Sequence, residues 1–395
     1  MDKRLLVLAL GMFALGTDTF VMAGVLPKIS HGFNVDIGLA GQLTTVYAVA
    51  YALLSPTIAA LAASVPRKRL MLSGLGVFVL ANLATAMAPS FALALVSRAF
   101  AGLGAAMYAP TATSTGAMIV APEHRGKALA TILAGLTMAT ALGSPMGTVI
   151  GGLGDWRWTM LFVSGLGLVA GTGIAVLLKD LPMPPKVSLS ARLAPLSDMR
   201  VGLTLATTFL GLAGNFLVYT YFSVVFDRIL TSPVLFGALL VLWGSGGTVT
   251  NVVLSGVLDR VGPRKVLLAM MAVLVVDMAL LPWASAQLWS SVLAVAVWGL
   301  AGWGIMGPQQ YRLVGIAPAI APILLGLNTA ATYLGATAAG ILGAAGIHLL
   351  GAHNLSFLGA VIFALGIVAS ELAHRRIHQG SVTPAVAARL QVAKA

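Results

Sequence analysis

Three charged side chains stand inside long apolar stretches of this sequence: Asp18, Arg98 and Asp277. At the centre of a bilayer a charge costs at least about 2.5–3.5 kcal/mol on insertion scales, which makes each a candidate for function. Asp18 lies 8 residues before Leu26, and Arg98 lies 7 residues after Phe91. A helical rise of about 1.5 Å per residue then sets both at a similar depth, roughly 10–12 Å from one boundary. That depth match allows an ion pair or a shared water network. A carboxylate with a cationic neighbour and a changing water supply can bind and release a proton. The competing reading is a static pair that fixes the packing of two helices. Asp277, 7 residues before Ala284, has a similar depth. Glu371 falls near an edge and reads as an anchor.

The elements that must position these groups follow from composition. Of 395 residues, 59% are hydrophobic and 9% charged, where an average soluble protein carries about 25% charged residues. Mean hydropathy is +0.98. A water-soluble enzyme is excluded, and with no cysteine so is a disulfide-framed secreted domain. The 45 glycines suit close helix packing in lipid. His31, His124, His348, His353, His374 and His378 all fall in loops or at span ends, which argues against a metal site in the membrane. The Gly-x-Gly strings sit in apolar helices rather than after strands, and there is no Walker lysine, so ATP does not drive this chain.

A bilayer core of roughly 30 Å needs about 20 apolar residues per helix. Twelve stretches qualify. The first six are 5–26, 38–62, 70–88, 91–119, 127–152 and 158–178, and the second six are 201–225, 234–257, 265–284, 288–307, 320–348 and 355–369. The first could be mistaken for a signal peptide, but its apolar run is too long and lacks a small-residue cleavage site, so it reads as a retained helix. With an even number of spans both termini share a side. Nineteen Lys and Arg fall on that side, Arg312 among them, against Lys28, Arg157 and Arg228 on the other. The positive-inside rule puts both termini in the cytoplasm and makes the formal charge of +12 a topological label rather than a nucleic-acid patch.

The sequence also repeats. Leu61-Ala-Ala-Ser-Val-Pro-Arg67-Lys68-Arg69 after span two aligns with Val257-Leu-Asp259-Arg260-Val-Gly262-Pro-Arg-Lys265 after span eight. Leu142-Gly143-Ser-Pro145-Met-Gly147 in span five aligns with Leu334-Gly-Ala-Thr-Ala-Ala339 in span eleven. Two parallel six-helix halves are expected, residues 1–180 and 200–373, with a Pro-rich cytoplasmic linker at 181–199 and a basic tail at 374–395. Pro145 removes one backbone N–H and Gly135, Gly143 and Gly147 permit close contact, so span five should kink and present a tight face.

These motifs resemble the major facilitator superfamily, within it the twelve-span drug:proton antiporters and the sugar-efflux permeases, over essentially the whole chain. Gly256-Val-Leu-Asp-Arg-Val-Gly-Pro-Arg-Lys265 is similar to the family's cytoplasmic loop signature. In the first-half copy Ala63 replaces the acid and Pro66 the glycine, so the gating contacts made by that acid fall to Asp259. Arg98-Ala-Phe-Ala-Gly-Leu-Gly in span four and Gly143-Ser-Pro-Met-Gly147 in span five resemble family elements, as does Gly154-Asp-Trp-Arg-Trp158 at the entry to span six. In span one, Thr17-Asp18-Thr19-Phe20 stands where efflux permeases carry the acid next to the phenylalanine, so here the carboxylate turns by about 100°.

The resemblance implies an all-α membrane protein of two pseudo-symmetric six-helix bundles. It implies that the span-five motif limits leakage while the halves rock, and that the span-nine helix of Asp277 supports from the lipid side, its acid paired locally or kept uncharged. By the same resemblance the cavity-lining candidates are Gln42, Tyr47, Tyr108, Asn215, Tyr219, Tyr221, Gln309 and Asn328, each of which has interhelical hydrogen bonding as its alternative role. The expected activity is export of a small organic compound by proton antiport through alternating access, with uptake of a metabolite as the transport alternative and a polytopic enzyme or receptor outside transport. No cofactor beyond the proton gradient is expected. The expected partners are a small-molecule substrate, protons and the lipid of a bacterial-type inner membrane, without nucleic acid, the chain acting as a monomer.

Overall fold

The structure, a computed structural model, describes residues 2–121, 124–179 and 187–379, the side chains of residues 63, 251, 252, 254 and 255 excepted. Among the described residues, twelve helices are long and apolar enough to cross a membrane. They are α1 (Lys3–Phe33), α2 (Ile37–Leu61), α3 (Arg67–Ala86), α4 (Phe91–Met118), α5 (Arg125–Leu153) and α6 (Arg157–Leu177), then α7 (Met199–Thr220), α8 (Pro233–Val261), α9 (Pro263–Ala284), α10 (Leu288–Ile316), α11 (Ala321–Leu350) and α12 (Leu355–Gln379). No strand occurs among the described residues.

Local chemistry sets the helix ends. Asp36 accepts from Leu39 N at 2.8 Å, Ser232 from Leu235 N at 3.2 Å, and Asp198 from Arg200 N at 2.9 Å, each satisfying a free N–H of a first turn. Asn34 (φ 53°) closes α1 in the left-handed region, and Gly262 (φ 84°) closes α8, where a side chain would be strained. The loop-motif glycine is therefore needed by the backbone itself.

Helix pairing repeats with a step of six. In the first half α1 packs on α5 and α6, α2 on α4, and α3 on α4 and α6. In the second, α7 packs on α11 and α12, α8 on α10, and α9 on α10 and α12. Adding six to each first-half pair gives the second-half pair, which is the signature of a parallel internal repeat. The halves meet through α2 with α11 and α5 with α8.

Several boundaries depart from the sequence reading. Helix α1 continues seven residues past Leu26, and α10 continues past Gly307 to Ile316. Arg312 thus lies on a helix, buried, with Nη1 donating to Ser370 Oγ at 2.9 Å, rather than in a loop. Within the expected linker Leu189–Leu193 forms a short helix followed by a 3-10 turn, Ala194–Ser197. Helix α12 passes the expected boundary at 373. Residues 180–186, with Lys186, and the tail from 380 lie outside the described residues.

Candidate transport site

Helices α1 and α4 bring the two sequence candidates together. Arg98 donates from Nη1 to Asp18 Oδ1 at 2.8 Å and from Nη2 to Oδ2 at 3.0 Å, and both side chains are fully buried. Nη1 also donates to Asn82 Oδ1 of α3 at 3.1 Å, and the guanidinium lies 4.9 Å from the ring centroid of Tyr47 on α2. The cation therefore has a carboxylate, an amide and an aromatic face. Such fork-to-fork pairing is directional and strong, and it satisfies both terminal nitrogens, while Arg98 Nε is buried without a partner among the described residues. Thr19, on the next face of α1, donates to Leu15 O at 2.9 Å, with the Tyr47 hydroxyl 3.3 Å away.

Helices α2 and α4 approach closely enough to hold this geometry because Gly102 has no side chain: a Cβ there would sit 2.5 Å from Tyr47 O. On α5, Gly135, Gly143 and Gly147 all face α1, against Ala9, Thr17 and Val21. Instead of a simple proline kink, α5 widens into a π turn at Ala139–Gly143 just before Ser144-Pro145. Proline supplies no N–H to the preceding turn, and such bulges recur at functional sites. The π turn meets the other half, where a Cβ on Gly244 would lie 2.6 Å from the Thr140 carbonyl.

Apart from Tyr47, which faces Arg98, the cavity candidates divide into three groups. Tyr108 is fully buried between α4 and α1, donating to Leu8 O at 2.9 Å, and so packs one half internally. Asn215 accepts from Trp298 Nε1 at 2.6 Å, Gln309 donates to Thr204 O at 2.8 Å, and Asn328 Oδ1 accepts from Thr208 at 2.7 Å. These three tie helices within the second half. Gln42, Tyr219 and Tyr221 bridge the halves: Gln42 donates to Gly340 O at 3.3 Å, Tyr221 to Gly340 O at 2.8 Å, and Tyr219 to Phe20 O at 2.9 Å.

Those bridges mark a seal on the face opposite the N-terminus. There Gly38 abuts Ala344, Gly152 abuts Pro233, and the His348 imidazole stands 3.8 Å from the Asp36 carboxylate. The seal ends near mid-depth at Tyr51 and Tyr333, whose rings stack across the interface at 3.8 Å. Beyond them, toward the N-terminal face, residues 53–61 of α2 are exposed or half-buried. Between α1 and α5 an apolar groove of about 640 Å³ runs past Leu10, Phe13, Met138 and Leu142, with Lys127 among its lining residues.

The loop motif behaves differently from its expected gating role. Arg67 is buried and donates to Ser114 and Thr115 of α4, and Lys68 donates to Ala175 O at 2.8 Å, so both tie the first half together. Arg69 is exposed, as are Asp259 and Arg260. Asp259 makes no hydrogen bond or ion pair with the described residues, so the gating contact expected of it is absent in this state. In the second half the ionic tie is instead Arg264 with Glu371, at 3.0 and 2.6 Å. Asp277 is buried with Oδ2 unpartnered among the described residues, which leaves out the local pair. No group of three His, Asp or Glu that could hold a metal ion occurs among the described residues. Asn82, Tyr51, Tyr333 and the indoles of α8 and α10 were not singled out by sequence; an asparagine amid the apolar run of α3 was the one visible signal.

The sequence and the fold have direct parallels. Residues 8–320 match the profile of the Major Facilitator Superfamily. The chain belongs to that family. Within it, the chain is 30% identical to the inner membrane transport protein YdhP of Escherichia coli K12, over 84% of this chain and 85% of that one. It is 32% identical to a chloramphenicol resistance protein of Streptomyces lividans, over 68% of this chain and 69% of that one. In fold it is similar to the crystal structure of the nucleoside transporter NupG, with a TM-score of 0.76 at 12% identity over 95% of this chain and all of that one. It is similar too to the D-xylose-proton symporter, with a TM-score of 0.75 at 17% identity over 94% and 96%. As a superfamily member the chain is a multi-pass membrane transporter.

Proposed function

We propose that this chain exports a small organic compound by proton antiport, its halves at 1–180 and 200–373 rocking about the Asp18–Arg98 layer, with both termini in the cytoplasm. The observation that carries the reading is the fully buried bidentate pair. A proton arriving on Asp18 cancels the charge that holds Arg98, freeing the guanidinium to rely on Asn82 and Tyr47. Because the pair joins α1 to α4, its loosening is felt by α5, which packs on both, and by α1, which also touches the second half. Proton binding and a change of access are thereby linked through one bistable contact.

The seal on the face away from the N-terminus supports the direction of opening. With the termini cytoplasmic the sealed face is the outer one, which supports reading this state as the one that loads substrate from the cell. The π turn of α5 against Gly244 is the joint on which the halves would rock, and its small residues limit leakage there. The likeness to a chloramphenicol resistance protein favours export of an uncharged aromatic compound over uptake of a nutrient.

The test is proton release from purified protein reconstituted in liposomes, with an imposed pH gradient and a compound panel that includes chloramphenicol. Export requires substrate movement opposite to the proton. Movement in the same direction establishes uptake, and transport indifferent to the gradient overturns proton coupling.

A further inference from the structure

Five aromatic side chains from both halves converge just above the charged layer. Phe20 follows Asp18 by two residues on α1, and Phe216, Tyr219, Trp243 and Trp303 come from α7, α8 and α10. Their ring centroids lie 5.9 Å apart for Phe20 and Trp303, 5.3 Å for Trp243 and Trp303, 6.1 Å for Phe20 and Phe216, and 4.4 Å for Tyr219 and Trp243. Phe216 and Trp303 are half-buried, while the other three form the wall behind them.

The backbone around this cluster is irregular on two sides. Helix α10 breaks at Gly304-Ile305, immediately after Trp303, and the π turn of α5 abuts Gly244, immediately after Trp243. Discontinuous helices at mid-depth are where membrane carriers place their ligands. The Trp303 indole lies against Gly247, where a Cβ would stand 2.9 Å from the ring. The ring therefore occupies a place that any larger residue on α8 would take.

The polar atoms select the ligand. Trp243 Nε1 and Trp303 Nε1 are both buried with no acceptor among the described residues. A buried donor left without a partner is costly, and an acceptor atom on a ligand relieves it. The cluster contains no ionised side chain, and the nearby Asp18 carboxylate already spends both oxygens on Arg98. Aromatic faces alone attract cations, but a desolvated cation here meets two N–H donors and no free carboxylate. A neutral aromatic ring that parts the half-buried Phe216 and Trp303 meets faces to stack on and brings a carbonyl or nitro oxygen to the enclosed N–H donors.

We infer that Phe20, Phe216, Trp243 and Trp303 form a binding subsite for neutral planar aromatic compounds that carry a hydrogen-bond acceptor, with Trp303 as the specificity-determining residue. The inference rests on the export reading for its biological use, but it is tested by binding alone.

Full-length protein in nanodiscs is titrated by calorimetry with chloramphenicol, 4-nitrobenzamide and coumarin as neutral probes, and with ethidium and tetraphenylphosphonium as cations. Trp303→Phe, which keeps a ring and removes the N–H, is expected to weaken the neutral probes about tenfold. Trp303→Leu and Phe216→Leu are expected to weaken them further, and the cations should bind the native chain poorly. Thermal unfolding of each variant confirms that the fold is intact, and Phe216→Leu stands in should a Trp303 variant fail to fold. Absence of binding by all three neutral probes, cations binding as tightly as neutral probes, or an unchanged neutral Kd in the folded variants overturns the subsite. Binding at Trp303 without proton-coupled movement in liposomes would leave the subsite standing and remove the export reading. Proton-coupled export of cations alone would do the reverse.

Discussion

Arg98 grips Asp18 through both terminal nitrogens, at 2.8 and 3.0 Å, in a place that no solvent reaches. Removing one member of a buried pair leaves the other charge uncompensated, at a cost of about 3–5 kcal/mol. Asp18→Asn and Arg98→Gln are each expected to lower stability by about that amount, and the double variant by clearly less than their sum. Thermal unfolding of the four proteins in one detergent closes the cycle. Additive losses would show that the pair is not energetically coupled. Reconstituted in liposomes, Asp18→Asn should abolish acceleration of transport by a pH gradient, a readout that a purely static pair would not move.

Lys28 illustrates a charge with another task. Its Nζ donates to the carbonyls of Gly151, Gly152 and Gly154 at 2.7–2.8 Å, capping the end of α5 from α1. Carbonyls at a helix C-terminus have no partner within the helix, and a cation there also faces the negative end of its dipole. Lys28 is exposed, so Lys28→Met should destabilise the fold by only about 0.5–1 kcal/mol while leaving the ligand dependence of transport intact. An unfolding temperature equal to that of the native chain would mean that the cap contributes nothing.

The sequence already contained the depth match of Asp18 and Arg98, because helical rise converts spacing into height without knowledge of neighbours. It did not contain Asn82 as the third partner, since an asparagine advertises a need for hydrogen bonds but not their direction. Twelve spans followed from hydropathy, yet α1 and α10 came out short. Hydropathy stops at the first polar residues, whereas α1 continues to Phe33 and α10 shelters Arg312 against Ser370. The loop repeat was visible, but Asp259 stands exposed because the contact expected of it depends on how the halves are disposed. Which interface is sealed is a property of one conformation, and a single sequence encodes all of them.

Asp198 gives the fold a dependence on acid. Burial raises its carboxyl, but the side-chain and backbone N–H groups of Arg200 outweigh that and hold it below the usual carboxylate range. The folded chain thus prefers the ionised form more than the unfolded chain does. Its contribution is complete above the unfolded value of about 3.9 and is lost as pH falls through the lower folded value. Asp198→Asn should flatten the loss of stability below about pH 4 relative to the native chain. Unfolding temperatures between pH 3 and 7 give the comparison, and parallel curves for the two proteins would remove Asp198 from the acid response.

Gly38 and Ala344 offer a lock on the sealed face. A Cβ at Gly38 lies 3.0 Å from the Ala344 Cβ, one residue on α2 and the other on α11. Disulfides span Cβ atoms about 3.5–4.5 Å apart, so a small outward relaxation accommodates one. The chain has no cysteine of its own, which leaves no competing thiol. Gly38→Cys with Ala344→Cys should therefore cross-link on oxidation only while this face is closed. If the halves must part here in each cycle, the oxidised protein loses transport and a reductant restores it. Each single variant should transport normally under both conditions, separating the lock from the effect of the side chains. Full transport by the cross-linked protein would show that α2 and α11 do not separate on this face, and the rocking of the halves about the Asp18–Arg98 layer would fall with it.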